Sequence, residues 1–125
     1  MNDEYRFEID AEPRYVPRES DPEAHRFVFA YTITIRNTGT GSARLDNRHW
    51  VITNANGVRQ DVRGRGVVGE EPYLEPGGSF RYTSAAVIET PVGTMQGHYE
   101  FESDGGKRFL VPIPVFSLSV PNLVH

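Results

Sequence analysis

The residues with the clearest chemical potential lie at 63–72, where the chain reads Arg-Gly-Arg-Gly-Val-Val-Gly-Glu-Glu-Pro. Three glycines in this stretch have the spacing G-x-G-x-x-G, which in other proteins lets the backbone approach a phosphate. They are Gly64, Gly66 and Gly69. Successive N–H groups in a glycine-rich turn can bind an anion, and arginines add paired hydrogen bonds to phosphate. The stretch therefore predicts a tight loop that is either purely structural or also binds an anion or a partner.

The neighbouring residues do not fit the enzymes that use this glycine spacing. A dinucleotide-binding loop opens a helix, but here two glutamates and Pro72 follow, without helical periodicity, and two carboxylates would repel a phosphate. A Walker loop needs Gly-Lys followed by Ser or Thr, and the only lysine, Lys107, is followed by Arg108. We therefore predict no catalytic residues. An enzyme that acts on nucleotide or pyrophosphate substrates stays the alternative.

Charge is distributed unevenly along the chain. The 125 residues carry 13 basic and 17 acidic side chains, which gives a formal net charge of −4. Between residues 44 and 65, however, five arginines stand against two aspartates, a local charge of +3. An acidic protein is a poor general ligand for nucleic acids or membrane surfaces. The basic segment therefore indicates one of two things: a specific anionic ligand other than nucleic acid, or arginines that pair with neighbouring carboxylates on a solvated face.

Composition limits the compartment and the cofactors. The chain has no cysteine, its first six residues lack a signal-peptide pattern, and no apolar run approaches the ~18 residues of a membrane helix. We therefore expect a cytoplasmic, single-domain protein over residues 1–125 that does not associate with membranes. Its four histidines, at positions 25, 49, 98 and 125, lack the spacing of metal ligands. We expect neither a metal nor another cofactor.

Alternation of apolar and polar residues predicts an all-β fold. Residues 27–35 place five large apolar side chains on one face, which indicates a central core strand. A strand at 45–53 surrounds Trp50, a predicted core residue. Pro112 and Pro114 remove N–H donors from one side of the last strand, which is typical of an edge strand. About seven antiparallel strands predict an immunoglobulin- or fibronectin III-like β-sandwich, with a small barrel as the alternative.

Two local predictions position the arginines. The Asn-Gly pair at 56–57 favours a tight hairpin turn, and a return strand is predicted at 58–62, which leaves Arg63 at the start of the glycine-rich loop. Strand alternation places Arg48 on the same face as Trp50. Arg48 is therefore expected at the rim of the core, where it can reach a carboxylate.

These motifs resemble the bacterial ApaG (CorD) family over residues 18–121. The resemblance rests on Arg48-His49-Trp50, on the glycine-rich run at 64–72, on Gly93-Thr94-Met95-Gln96-Gly97 and on Ile113-Pro114-Val115-Phe116. It implies a cytoplasmic bacterial protein with a fibronectin III-like fold and no established catalytic activity. The family is linked, by its names and gene neighbourhood, to cobalt resistance, magnesium efflux and dinucleoside polyphosphate hydrolysis. Related domains in eukaryotic F-box and DNA-polymerase-interacting proteins look like protein-binding modules.

The predicted function is a non-enzymatic binding module with two alternative ligand classes. One is a protein partner, and the other is a phosphate-bearing molecule such as a nucleotide or pyrophosphate; a weak homodimer stays open as well. The predicted ligand-binding residues are Arg48, Arg63, Gly64, Arg65, Gly66, Val67, Val68, Gly69, Glu70 and Pro72. The apolar side chains expected to contact a protein partner are Val67, Val68 and Tyr73.

Overall fold

The computed structural model describes residues 4–122, and β-strands make up most of them. Within this range the strands are β1 (Phe7–Tyr15), β2 (Phe27–Asn37), β3 (Ala43–Asn54), β4 (Arg59–Arg65), β5 (Tyr73–Leu74), β6 (Ser79–Ile88), β7 (Val92–Ser103) and β8 (Arg108–Ser119). Two single-turn 3-10 helices, Pro17–Glu19 and Pro22–Ala24, lie between β1 and β2. The all-β prediction is confirmed, with seven long strands and the two-residue β5.

The strands form two antiparallel sheets. One sheet has the order β1-β2-β6, and the other has the order β4-β3-β7-β8 with β5 paired to β3. Contacts between β1 and β8 join one side of the two sheets, so β6 and β4 lie at the opposite side. The predicted sandwich is confirmed. The barrel alternative is wrong, because no hydrogen-bonded strand pair connects the two sheets in the described range.

The core is built from alternate residues of the facing strands. β2 lies at the centre of its sheet and buries Phe29, Ile33 and Ile35 completely, as its pattern predicts. Trp50 on β3 is 2% exposed, which confirms it as a core residue. Its ring packs edge-on against Tyr31 of the other sheet, with 5.2 Å between ring centroids. Burial of each such large side chain stabilises the fold by about 1.5–3 kcal/mol.

A pair of buried phenols connects the two sheets. The hydroxyls of Tyr82 on β6 and Tyr99 on β7 lie 2.6 Å apart. Burial raises the pKa of both phenols, and also that of Tyr31, above the usual value. All three are therefore neutral hydroxyls in the folded protein at neutral pH.

The β8 edge of the sandwich is blocked by proline. Ser103 N donates to Lys107 O, so this pair of residues is hydrogen-bonded. Hydrogen-bonded and non-hydrogen-bonded pairs alternate along an antiparallel ladder. By this alternation Pro112 falls in a non-hydrogen-bonded pair, and its backbone groups point away from β7. Pro114 lies at the β-bulge where the pairing of β7 with β8 shifts by one residue. The prediction that β8 is an edge strand is confirmed.

Proline also blocks β1, the neighbouring edge strand of the other sheet. Thr38 N donates to Arg6 O, so the same alternation turns the nitrogen of Pro13 away from β2. Proline on an edge strand removes the donor that a further strand would need. The side of the sandwich formed by β1 and β8 is thus protected against strand pairing.

Candidate functional site

The first part of the glycine-rich stretch is a strand, not a loop. β4 continues through Arg63 and Gly64 to Arg65, paired with β3, so the prediction that the strand ends at Val62 is wrong. Gly64 pairs with Arg48, and a Cβ on this glycine would lie 2.7–2.8 Å from the atoms of the Arg48 guanidinium. Glycine therefore stands in this strand because the arginine side chain crosses over it.

The second part is a two-residue hairpin. Val67 and Glu70 exchange backbone hydrogen bonds of 2.8 and 2.9 Å, and Val68 and Gly69 between them have φ angles of 44° and 82°. Positive φ at both central residues is the mark of a type I′ turn. Gly66 has a φ of 58°, and a Cβ there would lie 2.1 Å from the carbonyl oxygen of Glu70. The geometry of the hairpin alone accounts for the glycines at 66 and 69.

Arg48 holds the hairpin from the inner side of the sheet. Its Nη1 donates to the carbonyl oxygens of Arg65 at 2.9 Å and Gly66 at 3.0 Å. The expected contact with a carboxylate is wrong, since Arg48 has no ion pair within residues 4–122. Val67 is fully buried, which corrects the expectation that its side chain is available to a partner. Val68, 52% exposed, is the apolar side chain that the hairpin presents.

The three predicted arginines do not converge. Arg48 lies on the inner face of the sheet, whereas Arg63 and Arg65 alternate with Gly64 and lie on the outer face. Arg65 forms an ion pair of 2.9 Å with Glu71. In the described part of the chain, the Arg63 side chain has neither an ion pair nor a hydrogen bond. Arg63 is thus the arginine of this group that keeps its charge available.

The hairpin offers fewer N–H donors than an anion nest requires. The N–H groups of Gly66 and Val67 already donate to backbone carbonyls. Those of Val68 and Gly69, at the tip of the turn, have no acceptor among residues 4–122. Glu70 follows directly and adds a negative charge. The predicted nest is therefore reduced to two donors beside a carboxylate.

A groove of about 450 Å³ lies on the outer face of the sheet beside Arg63. His49 on β3 and His98 on β7 are paired there, with their rings edge-on at 5.0 Å between centroids. His49 Nε2 lies 2.9 Å from Oδ2 of Asp61. Hydrogen bonds from Arg59 and then from His49 hold the pKa of the Asp61 carboxyl well below its usual value. The proximity of the two histidines was not predictable from the sequence, because the pairing of β3 with β7 leaves no local signal.

A second groove runs along the open side of the sandwich between β4 and β6. Three cavities of about 250, 260 and 260 Å³ follow one another along it and share lining residues. One end lies at Val68 and Gly69, the middle between Val62 and Ser84, and the other end at Val58. Apart from the hairpin, Arg48 and Arg65, the residues that line these cavities were not among the predicted site residues.

In the part of the chain that the structure describes, no three His, Asp or Glu side chains are placed to hold a metal ion. No helix in this range is long and apolar enough to cross a membrane. The fold and the site define a small β-sandwich with an arginine-held hairpin next to the edge strand β4. The chain belongs to the ApaG domain family, whose model matches residues 17–103, and this confirms the resemblance described above.

Relatives cover nearly the whole chain. A protein ApaG from Azoarcus sp. (strain BH72) is 57% identical over 121 residues, which are 97% of this chain and 95% of that protein. A protein ApaG from Cronobacter sakazakii is 52% identical over 125 residues, the full length of both. The crystal structure of an ApaA protein from Bordetella pertussis is 45% identical, superimposes with a TM-score of 0.93, and covers 98% of this chain and 100% of its own.

Proposed function

We propose that this protein is a non-enzymatic, cytoplasmic protein-binding module whose functional surface is the hairpin at 66–72 with the adjoining edge of β4. The buried Val67 anchors the hairpin in the core, and Arg48 donates hydrogen bonds to it from the inner side of the sheet. Val68 at the tip of the hairpin is 52% exposed. A branched apolar residue at positive φ is strained, and such strain is retained chiefly where a site needs it. The exposed Val68 at a φ of 44° is the observation that carries the proposal.

The charges around the hairpin favour a protein partner over a catalytic role. Arg48 is engaged by two carbonyls, and Arg65 is engaged by Glu71. Each of these two guanidiniums therefore already makes a structural contact, whereas an active-site arginine is aimed at the charge that develops in a reaction. A binding module would influence cobalt resistance and magnesium efflux, to which the family is linked, only through the protein that it binds.

Site-specific photo-crosslinking in cells tests the proposal. A photoreactive residue replaces Val68, and the matched control replaces Val115, which is 61% exposed on β8 at the far end of the same sheet. We expect a discrete protein adduct from position 68 that excess unlabelled protein competes away, and none from position 115. Equal adducts from both positions, or no adduct from position 68, would contradict the proposal.

A phosphate-bearing ligand is the second candidate, favoured by the free Arg63 beside His49 and His98. The groove there, about 450 Å³, is large enough for a nucleotide or pyrophosphate. Amide shifts are measured during titration with pyrophosphate, ATP and a dinucleoside polyphosphate, with sulfate as the control anion. Saturable shifts around Arg63 that weaken in high salt and vanish in Arg63→Ala support this candidate. Flat spectra at millimolar ligand exclude it.

A further inference from the structure

On the basis of the proposed function, we infer that the occupant of this surface is an extended, acidic segment of another protein. The segment adds to the free edge of β4 as an antiparallel strand and turns its apolar side chains into the groove between β4 and β6. Strand addition of this kind takes its affinity from backbone hydrogen bonds and its specificity from alternate side chains.

Among residues 4–122, the backbone of β4 has no partner strand on its outer side. Asn54 N donates to Val58 O at one end of the β3–β4 ladder, and Gly66 N donates to Asp46 O at the other end. Because hydrogen-bonded pairs alternate, the even-numbered residues of β4 face β3 and the odd-numbered ones face away. The residues with outward N–H and C=O groups are Arg59, Asp61, Arg63 and Arg65. Of these groups, the Arg65 carbonyl is the one that has a side-chain donor within the described range, namely Arg48.

The two sides of the sandwich differ in how their edges are protected. On the β1 and β8 side, Pro13 and Pro112 turn their nitrogens outward, and Pro114 lies at a bulge. β4 and β6 on the other side contain no proline. An open edge carries a risk of aggregation, and charged side chains on it are one way to prevent the pairing of two copies. The arginines of β4 repel a second β4 edge and attract an acidic one.

The two faces of β4 predict the residue pattern of the incoming strand. On the outer face, no described residue pairs with the Arg63 side chain and Arg65 has one described ion-pair partner, so an acidic residue should stand beside each arginine. Asp61 lies between arginines on this face and favours an uncharged neighbour. On the inner face, Val62 of β4 lines the groove. Apolar residues of the incoming strand would cover this valine.

The probe is an acetylated and amidated heptapeptide with the sequence Glu-Val-Glu-Val-Thr-Val-Glu, which matches β4 antiparallel from Arg65 to Arg59. Amide hydrogen exchange is measured with and without saturating peptide. We expect the exposed amides of Asp61 and Arg63 to exchange at least about tenfold more slowly in the complex. Gln60 and Val62, whose amides already face β3, should not change. A peptide with lysine for each glutamate is the charge control.

Two blocking changes test whether the backbone of β4 carries the binding. Arg63→Pro removes an outward donor without breaking the ladder to β3, so the melting midpoint should stay within a few degrees while peptide protection is lost. Arg63→Ala keeps the N–H and should bind about tenfold more weakly, with less dependence on salt. A peptide that is N-methylated at the two glutamates beside Arg63 and Arg65 should not bind, and this result does not depend on how the proline variant folds.

Four outcomes overturn the inference. The first is peptide binding that survives both N-methylation and Arg63→Pro, and the second is equal binding of the lysine peptide. The third is a set of amide shifts confined to the outer-face groove. The fourth is protection from exchange that rises with protein concentration in the absence of peptide, because a second copy would then occupy the edge. If the peptide fails but the crosslink from position 68 persists, strand addition is wrong and the binding module stands. If both fail, the proposed function fails as well.

Discussion

At the scale of single residues, the hairpin depends on the absence of a Cβ atom at Gly66. Its φ of 58° already costs an L-residue about 1–2 kcal/mol, and a Cβ would lie 2.1 Å from the Glu70 carbonyl oxygen. Because that oxygen belongs to the backbone of the turn, it cannot move without breaking the Val67–Glu70 pair. We expect Gly66→Ala to lower the free energy of unfolding by about 3 kcal/mol, measured by urea denaturation.

Gly69→Ala is the matched control for that substitution. Gly69 has a φ of 82°, but a Cβ there would meet no atom of the described residues within 4 Å, apart from its two chain neighbours. Only the conformational cost remains, so we expect a loss of about 1 kcal/mol. Equal losses in the two variants would show that the contact with Glu70 is relieved at little cost.

At the scale of elements, the pairing of β3 with β4 includes a charge network that depends on pH. Asp61 on β4 accepts hydrogen bonds from Arg59 and lies 2.9 Å from His49 on β3, and these neighbours lower the pKa of its carboxyl. A lowered folded-state pKa adds stability above the unfolded value of about 3.9, and that stability is lost as the pH falls further. We expect Asp61→Asn to lower the melting midpoint at pH 6, with a difference from the wild type that shrinks between about pH 4 and pH 2.

His49→Gln separates the two neighbours of Asp61. It removes the imidazole and leaves the Arg59 hydrogen bonds of 2.8 and 3.0 Å in place. Since Arg59 is the larger cause of the lowered pKa, most of the acid-dependent loss should remain in this variant. A difference between Asp61→Asn and wild type that stays constant with pH would contradict this account.

The elements also show what could be predicted from sequence. Period-two alternation predicted the strands around Ile33 and Trp50 because each buries one face. The end of β4 was not predictable, because Gly64 reads as a loop residue until its pairing with Arg48 is known. The hairpin was missed for a related reason: Val-Gly is an unusual type I′ pair, and tertiary contacts stabilise it. Strand pairing joins residues that are far apart in the sequence, so it leaves no local pattern. The pair of His49 and His98 was not predictable for the same reason.

At the scale of the whole molecule, the two sheets are held together around neutral phenols. The Tyr82 and Tyr99 hydroxyls meet between the sheets, and burial raises their pKa above the usual value of about 10, as it does for Tyr31. Stability from a raised pKa is fully present below the unfolded value and is lost as the pH rises, because the unfolded chain releases protons that the folded one keeps. We therefore expect the protein to unfold cooperatively above about pH 10.

Two signals should change together in that alkaline transition. Ultraviolet absorbance reports tyrosinate formation, and the fluorescence of Trp50, which packs against Tyr31 and Tyr99, reports the opening of the core. The buried phenols should ionise only as the Trp50 emission shifts. Tyr99→Phe should cost about 1 kcal/mol at neutral pH by removing the hydrogen bond, yet lose stability less steeply with rising pH. Ionisation of all tyrosines before any change in Trp50 emission would mean that water reaches the phenols in the folded state, and that the sheets are not closed around them.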